Sequence, residues 1–325
     1  MSALLEVDGL RVRLPTPAGP ATVVDGIDYR VEPGEVFGIA GESGSGKTMS
    51  VLALMGLLPP GAAVEGRAIF EGRDLLRLRR RQLRQISGRD LAMVFQDPMT
   101  SLHPMLSVGR QLTEHVRQHL GLGRREAGER ALELLREVRI PDPDSAVHSF
   151  PHQFSGGMRQ RIAIAIALAC RPTLLVADEP TTALDVTVQA GIIRLLDRLR
   201  NDSGLTIVLI THDLGVLSAI ADRVSIFYAG RVVEAGGRSD VLSRPRHPYT
   251  RGLLDALPHP EAAATPLVAI QGAPPAPRHI PSGCAFHPRC PYARDSCREA
   301  VPPLVPVNGR VLACPVDPLR PGAPT

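Results

Sequence analysis

Apolar residues open the chain in short bursts. "LLEVDGLRVRL" and "GEVFGIAG" are rich in Val, Ile and Leu and are separated by the turn signal "VEPGE", so residues 1–40 are predicted to form short strands joined by turns. The apolar "TMSVLALMGLL" follows a glycine-rich loop and stops at Pro59 and Pro60, as a helix does. From about Thr100 to Ala169 the apolar spacing becomes helical. "VGRQLTEHVRQHL", "RREAGERALELLREV" and "MRQRIAIAIALAC" predict a mostly helical insert. Beyond it, "TLLVAD" and "LTIVLIT" are continuous apolar runs of strand length, separated by the helical "VTVQAGIIRLLDRLRND". That alternation predicts a parallel sheet covered on both faces. After roughly His247, "LPHPEAAATPLVAIQGAPPAPRHIPSG" loses periodicity and reads as a Pro- and Ala-rich linker into a small tail. No internal repeat is evident, so the pattern describes one core with an appendage.

The bulk numbers bound this picture. A chain of 325 residues suits one large domain plus an appendage, or two modest domains. Hydrophobic content is 44% and mean hydropathy is +0.02, values of an ordinary globular chain. The longest apolar run, Ile162 to Cys170, is far too short to cross a bilayer. "MSALLEVDGLRVRL" shows no basic region followed by an apolar core, so no signal peptide is expected and the chain is expected in the cytosol. Cytosolic thiols stay reduced, which argues against structural disulfides. Charge is mildly basic, +4 with a pI of about 9.0. Arg73, Arg77, Arg79, Arg80, Arg81 and Arg84 crowd together, but 3% aromatic content without Trp leaves few platforms for stacking nucleic-acid bases. A solvated helix face near anionic lipid headgroups accounts for them better.

The chemistry begins with "GESGSGKT", which fits G-x-x-x-x-G-K-[ST] between a predicted strand and a predicted helix. Glycines let backbone N–H groups wrap phosphate oxygens without Cβ obstruction. Gly41, Glu42, Ser43, Gly44, Ser45 and Gly46 would form that cradle, Lys47 would reach the β- and γ-phosphates, and Thr48 would offer its hydroxyl to Mg²⁺. The helix that starts here adds the positive end of its dipole. "TLLVADEP" is an apolar strand ending in two carboxylates. Asp178 suits the Mg²⁺ shell, and Glu179 suits polarisation of a water attacking the γ-phosphorus. A strand ending in Asp-Glu is weak evidence alone and persuasive beside the glycine-rich loop.

"FSGGMRQR" at 154–161 decides the family: here the chain resembles the ATP-binding cassette (ABC) ATPases, whose signature loop is LSGGQ-like and precedes a helix. The order of motifs agrees: glycine-rich loop, Gln96 after "DLAMVF", signature, "DEP", "ALD" and then His212 after "IVLIT". The resemblance covers roughly residues 4–240 and implies an α/β P-loop NTPase fold, a mixed sheet core with a helical subdomain. It implies two such domains sandwiching ATP, with the signature residues Ser155, Gly156, Gly157 and Met158 meeting the ATP on the opposite subunit's loop. It further implies that Gln96 senses Mg²⁺ and the attacking water, that His212 holds the γ-phosphate, and that Ala183, Leu184 and Asp185 form the D-loop. Two positions depart from the family. Met158 replaces the usual glutamine, and Leu14 stands where an aromatic residue usually stacks on adenine.

Within that family, "QDPMTSLHPMLSVGRQ" and "RPRHPYTRGLLDALP" are similar to the oligopeptide/dipeptide/nickel importer ATPases, with His103 in place of the usual asparagine. The implied organisation is an ABC ATPase domain at 1–246, its helical subdomain at about 97–170, and a C-terminal extension at 247–325. The implied function is ATP hydrolysis energising import of peptides through a membrane permease, with nickel import and a soluble repair or translation ATPase as the alternatives. Implied partners are two permease chains, a second ATPase subunit, like or unlike this one, and an extracytoplasmic solute-binding protein, with no nucleic acid. The place implied is peripheral, on the cytoplasmic face of the cell membrane. Cys284, Cys290, Cys297 and Cys314 gather four of the five cysteines in the tail, spaced C-x5-C-x6-C-x16-C. Four thiolates suit zinc or an iron–sulfur cluster, and these loops are wider than common zinc knuckles. Resemblance to the importer tails implies a [4Fe–4S] cluster, with Zn²⁺ or no metal as the alternatives and His287 as a bystander.

Overall fold

The computed structural model describes residues 3–182, 184–257 and 269–320. They form two compact units, one of Met1–Glu32, Val36–Arg77 and Thr211–Thr325, the other of Pro33–Glu35 and Leu78–Ile210. The chain enters the first unit through strands β1 (Leu5–Leu14), β2 (Ala21–Val31) and β3 (Val36–Ala40), helix α1 (Lys47–Met55), and strands β4 (Ala63–Phe70) and β5 (Arg73–Asp74). The order β2-β1-β4-β5 makes an antiparallel sheet. Along β1, Leu5, Val7, Leu10 and Val12 are buried while Arg11 and Arg13 face outward, the period-2 alternation of a half-buried strand. A bulge between Val7 and Leu10 shifts the register at Gly9, whose N–H donates to Asp28 Oδ1 at 2.6 Å.

The second unit carries α2 (Arg80–Ile86), β6 (Leu91–Val94), α3 (Pro98–Ser101), α4 (Val108–Leu120), α5 (Arg124–Glu137), α6 (Pro143–Ala146), α7 (Gly156–Ala167), β7 (Leu174–Asp178), α8 (Val186–Ser203) and most of β8 (Thr206–Thr211). Here β6, β7 and β8 run parallel, and every residue of β7 and β8 is buried, as continuous apolar strands require. Between β6 and β7 the chain is helical, from α3 to α7. Ser107 caps α4 by accepting the Arg110 N–H, and Gly121 ends it in the left-handed region. All six clustered arginines from Arg73 to Arg84 are exposed.

The chain then returns to the first unit with α9 (Leu214–Ile220), β9 (Arg223–Tyr228), β10 (Arg231–Gly237), α10 (Pro248–Asp255), α11 (Ser296–Glu299), β11 (Val305–Val307) and β12 (Arg310–Leu312). In this unit β3 pairs parallel with β9, and β10, β12 and β11 continue antiparallel from it, so the sheet is mixed. Part of the predicted linker, 258–268, lies outside the described residues. From 269 on the chain is held by packing and polar contacts, with Ile270 against Gly252. Among the described residues no helix is long and apolar enough to cross a membrane.

Candidate active site

In the first unit, residues 41–48 leave the buried strand β3 and open α1. Glycine is required at both ends of this loop. Gly41 has φ 150°, and a Cβ there would lie 2.2 Å from the Phe227 carbonyl oxygen; Gly46 has φ 101°, and a Cβ would lie 2.5 Å from the Val23 carbonyl. Lys47 is buried and its Nζ arches back over the loop, donating to the carbonyls of Gly41 at 2.7 Å and Glu42 at 2.9 Å. Ser45 is buried beside it, Ser43 and Gly44 are exposed, and Thr48 is half-buried on the first turn of α1. A glycine-rich turn feeding a helix N-terminus, with an ammonium across it, has the chemistry that a polyphosphate cradle needs. Leu14 ends β1 opposite Ala21. His212 follows β8 and is exposed, and the next residue, Asp213, caps α9 through the N–H groups of Gly215 and Val216.

In the second unit, β7 delivers a buried Asp178 and then Glu179, whose φ of 46° puts a non-glycine residue in the left-handed region. The strained turn is tied down. Glu179 N–H donates to the Ile210 carbonyl at 2.8 Å, and Glu179 Oε2 accepts from Gln96 Nε2 and from Thr182 Oγ1, each at 2.9 Å. The structure thus brings Gln96 and Glu179 together across 83 residues of chain. Ser155 caps α7, its Oγ accepting from Met158 N–H at 3.4 Å. Arg159 Nε pins the loop below by donating to the carbonyls of Pro151 and Phe154. The signature glycines meet the start of α8: a Cβ on Gly157 would stand 2.4 Å from Val188 Cγ1, and one on Gly156 would touch Leu184. Asp185 caps α8 through Val188 N–H at 2.9 Å. Ala183 lies outside the described residues.

Cys284, Cys290, Cys297 and Cys314 all line one cavity in the first unit, with His247, Phe286, His287 and Tyr292 around them. All four are unbridged. Burial pushes the Cys290 and Cys314 thiols up to about 11 and raises Cys284 as well, with neighbouring cysteines adding to each rise. Among the described residues, no three His, Cys, Asp or Glu side chains are grouped to hold a single metal ion. The four cysteines share the cavity, and the side chains as they stand do not enclose a metal ion.

Three contacts escaped the sequence reading. Thr182 steadies Glu179, and Tyr249 and Arg289 both reach Glu42. Tyr249 lies in "RHPYT", which signals a family tail without assigning a role; Arg289 has no local signal beyond standing next to Cys290.

Residues 24–182 match the family described as "ABC transporter", and residues 233–297 match "Oligopeptide/dipeptide transporter, C-terminal region". The oligopeptide transport ATP-binding protein OppD of Salmonella typhimurium is 47% identical over 314 residues, covering 96% of this chain and 93% of that one. The dipeptide transport ATP-binding protein DppD of Escherichia coli is 48% identical over 314 residues, covering 96% of each. Among solved structures, a dimeric bacterial ABC transporter cassette superposes with a TM-score of 0.65 at 27% identity, over 72% of this chain and 98% of that one. The glycine-rich loop at 41–48, the helix after Ser155 and the Asp178–Glu179 pair all fall within the span that matches the ABC transporter family. The chain belongs to the ABC transporter ATPases, in their oligopeptide/dipeptide branch.

Proposed function

We propose that the chain is the ATP-hydrolysing subunit that energises peptide import through a membrane permease. The observation that carries this reading is the joint match to a cassette and to the oligopeptide/dipeptide C-terminal region in one chain. Residues 1–246 form the ATPase domain, with a helical subdomain at about 97–170, and 247–325 the branch-specific extension. Residues 41–48 bind the ATP phosphates, with Lys47 neutralising the β- and γ-phosphates and Leu14 covering the adenine. Thr48, Gln96 and Asp178 would hold Mg²⁺, which would spread the phosphate charge. Glu179 polarises the attacking water, and His212 steadies the γ-phosphate. Ser155, Gly156, Gly157 and Met158 close on the ATP of a second, different ATPase subunit, and Ala183, Leu184 and Asp185 line that junction.

The pair docks peripherally on the cytoplasmic side of two permease chains served by an extracytoplasmic binding protein. ATP drives closure because it binds the closed pair more tightly than the open one, and hydrolysis releases it. The test is affinity purification from native membranes. Co-purifying permease chains and peptide-stimulated hydrolysis are expected; co-purifying ribosomes or DNA, or stimulation by nickel instead of peptide, would overturn the reading.

Leu14→Tyr is expected to tighten ATP binding by up to about 1 kcal/mol, a typical aromatic-pair increment, with the fold intact. An unchanged Kd in titration calorimetry would show that position 14 does not meet the base.

Cys284, Cys290, Cys297 and Cys314 would hold a [4Fe–4S] cluster with a structural role. Burial raises the Cys284, Cys290 and Cys314 thiols, so positively charged iron is what would make them thiolates and, with Cys297, tie this apolar-poor segment together. Protein purified without oxygen is expected to be brown, with iron and sulfide in equal amounts and a visible absorption that Cys290→Ser abolishes. Colourless protein with stoichiometric zinc would overturn the cluster in favour of the ion.

A further inference from the structure

Glu42, the second residue of the glycine-rich loop, is gripped from the C-terminal segment at two points. Arg289 presents a bidentate fork to its carboxylate, Nη1 to Oε2 at 2.6 Å and Nη2 to Oε1 at 2.9 Å. The Tyr249 hydroxyl accepts from the Glu42 backbone N–H at 2.8 Å. On its other side, the Glu42 carbonyl accepts from Lys47 Nζ at 2.9 Å. One residue therefore joins the C-terminal segment to the lysine of the phosphate cradle.

The anchor is itself built in. The Arg289 side chain is 6% exposed and its guanidinium carbon lies 5.9 Å from the ring centres of both Tyr228 and Phe286. Its Nε donates to the Gln271 carbonyl at 2.9 Å, Nη2 to the Gly272 carbonyl at 3.3 Å and Nη1 to the Tyr228 hydroxyl at 3.3 Å. Arg289 ends the short turn His287–Arg289, one residue before Cys290. An exposed ion pair would contribute little. A buried planar fork fixed by backbone carbonyls and aromatic faces holds its partner in one orientation, which a lysine ammonium does not.

The loop has reason to need holding. Gly41 and Gly44 flank Glu42 and Ser43 with φ of 150° and 78°, backbone conformations that other residues rarely adopt, so no side chain at either glycine helps to set the direction of this dipeptide. Phosphate binding depends on the direction of the N–H groups there. We propose that Arg289 is a positioning residue for ATP binding: by fixing Glu42 it holds the start of the loop and Lys47 in the conformation that receives the phosphates. This rests on the assignment of residues 41–48 to the ATP phosphates.

The experiment measures the Kd of ATP by calorimetry, and the KM and kcat of hydrolysis, for the full-length chain in its complex. Arg289→Ala is expected to raise Kd and KM about tenfold with kcat at saturating ATP within about twofold, a loss of about 1.4 kcal/mol. Arg289→Lys, which keeps the charge without the fork, is expected to fall between. Glu42→Gln, made at the loop so that the C-terminal packing stays intact, is expected to match Arg289→Ala, and the double variant to be no weaker than either single one. A lower melting temperature with unchanged Kd, or additive losses in the double variant, would overturn the proposal. Lys47→Ala separates the two readings. ATP binding that survives Lys47→Ala removes the phosphate-loop assignment and this proposal with it. Binding lost in Lys47→Ala but unchanged in Arg289→Ala and Glu42→Gln overturns the Arg289 proposal alone.

Discussion

Replacing Glu179 with glutamine is expected to lower ATP turnover about 10²–10⁴-fold while leaving ATP binding intact, the usual loss when a positioned acid–base group is removed. The substitution keeps the side-chain shape. Its remaining carbonyl oxygen still accepts from Gln96 Nε2 and Thr182 Oγ1, the two donors that now hold Oε2. The backbone stays tied at φ 46° by the bond from residue 179 to the Ile210 carbonyl. What disappears is the negative charge that, in the proposed role, would draw a proton from the attacking water. The loop at 41–48, proposed to hold the phosphates, is untouched, so the expected product is an ATP-loaded pair of subunits that closes and does not reset. Single-turnover hydrolysis checks the chemical step, and size-exclusion chromatography with MgATP checks the closed pair. Turnover near that of the unmodified protein would remove Glu179 from its role.

The helices were the most legible part of the sequence because their signals are local. α4 begins at Ser107 and ends at Gly121, and α8 begins at Asp185 and ends at Gly204, so cap residues bracket each apolar period. The strand β4 escaped notice for an equally local reason. Its first five residues are exposed and Gly66 interrupts them, so no alternation reaches the eye. The hairpin of β9 and β10 turns through Ala229 at φ 48° and Gly230 at φ 81°, and an alanine at a left-handed turn position hides the signal that Asn-Gly would have given. Among the catalytic candidates, the motifs named Gln96 and Glu179, and only folding supplied their hydrogen bond. The tail was least legible. Its order comes from polar contacts made over long separations, such as Arg289 with Glu42 across 247 residues, and no periodicity within a window records them.

Glu234→Ala is expected to destabilise the protein by about 3–5 kcal/mol, the cost of breaking a buried ion pair from one side. Glu234 sits in β10 with no exposure, and its carboxylate is fully employed. It accepts from Arg246 N–H at 2.9 Å, from His247 N–H at 3.0 Å and from Arg310 Nη1 at 2.9 Å. The Arg310 side chain is 6% exposed and its Nε has no partner, so removing the carboxylate leaves a charge and two backbone donors in a place water does not reach. Asp240, with its Oδ1 3.8 Å from Arg310 Nη2, is too distant to replace the lost contact. Urea unfolding followed by far-UV circular dichroism measures the change. The companion variant Glu234→Leu with Arg310→Met removes both charges, and it is expected to recover most of the loss, since apolar replacement of both partners of a buried pair is often neutral. A loss below about 1 kcal/mol in Glu234→Ala, or no recovery in the double variant, would mean that Arg310 finds water on its own. The consequence would reach the proposed phosphate loop by a short chain of hydrogen bonds and backbone. The His247 N–H that Glu234 holds opens α10, and His247 Nδ1 accepts from Tyr249 N–H at 3.1 Å, so the carboxylate orients the helix turn from which Tyr249 reaches Glu42.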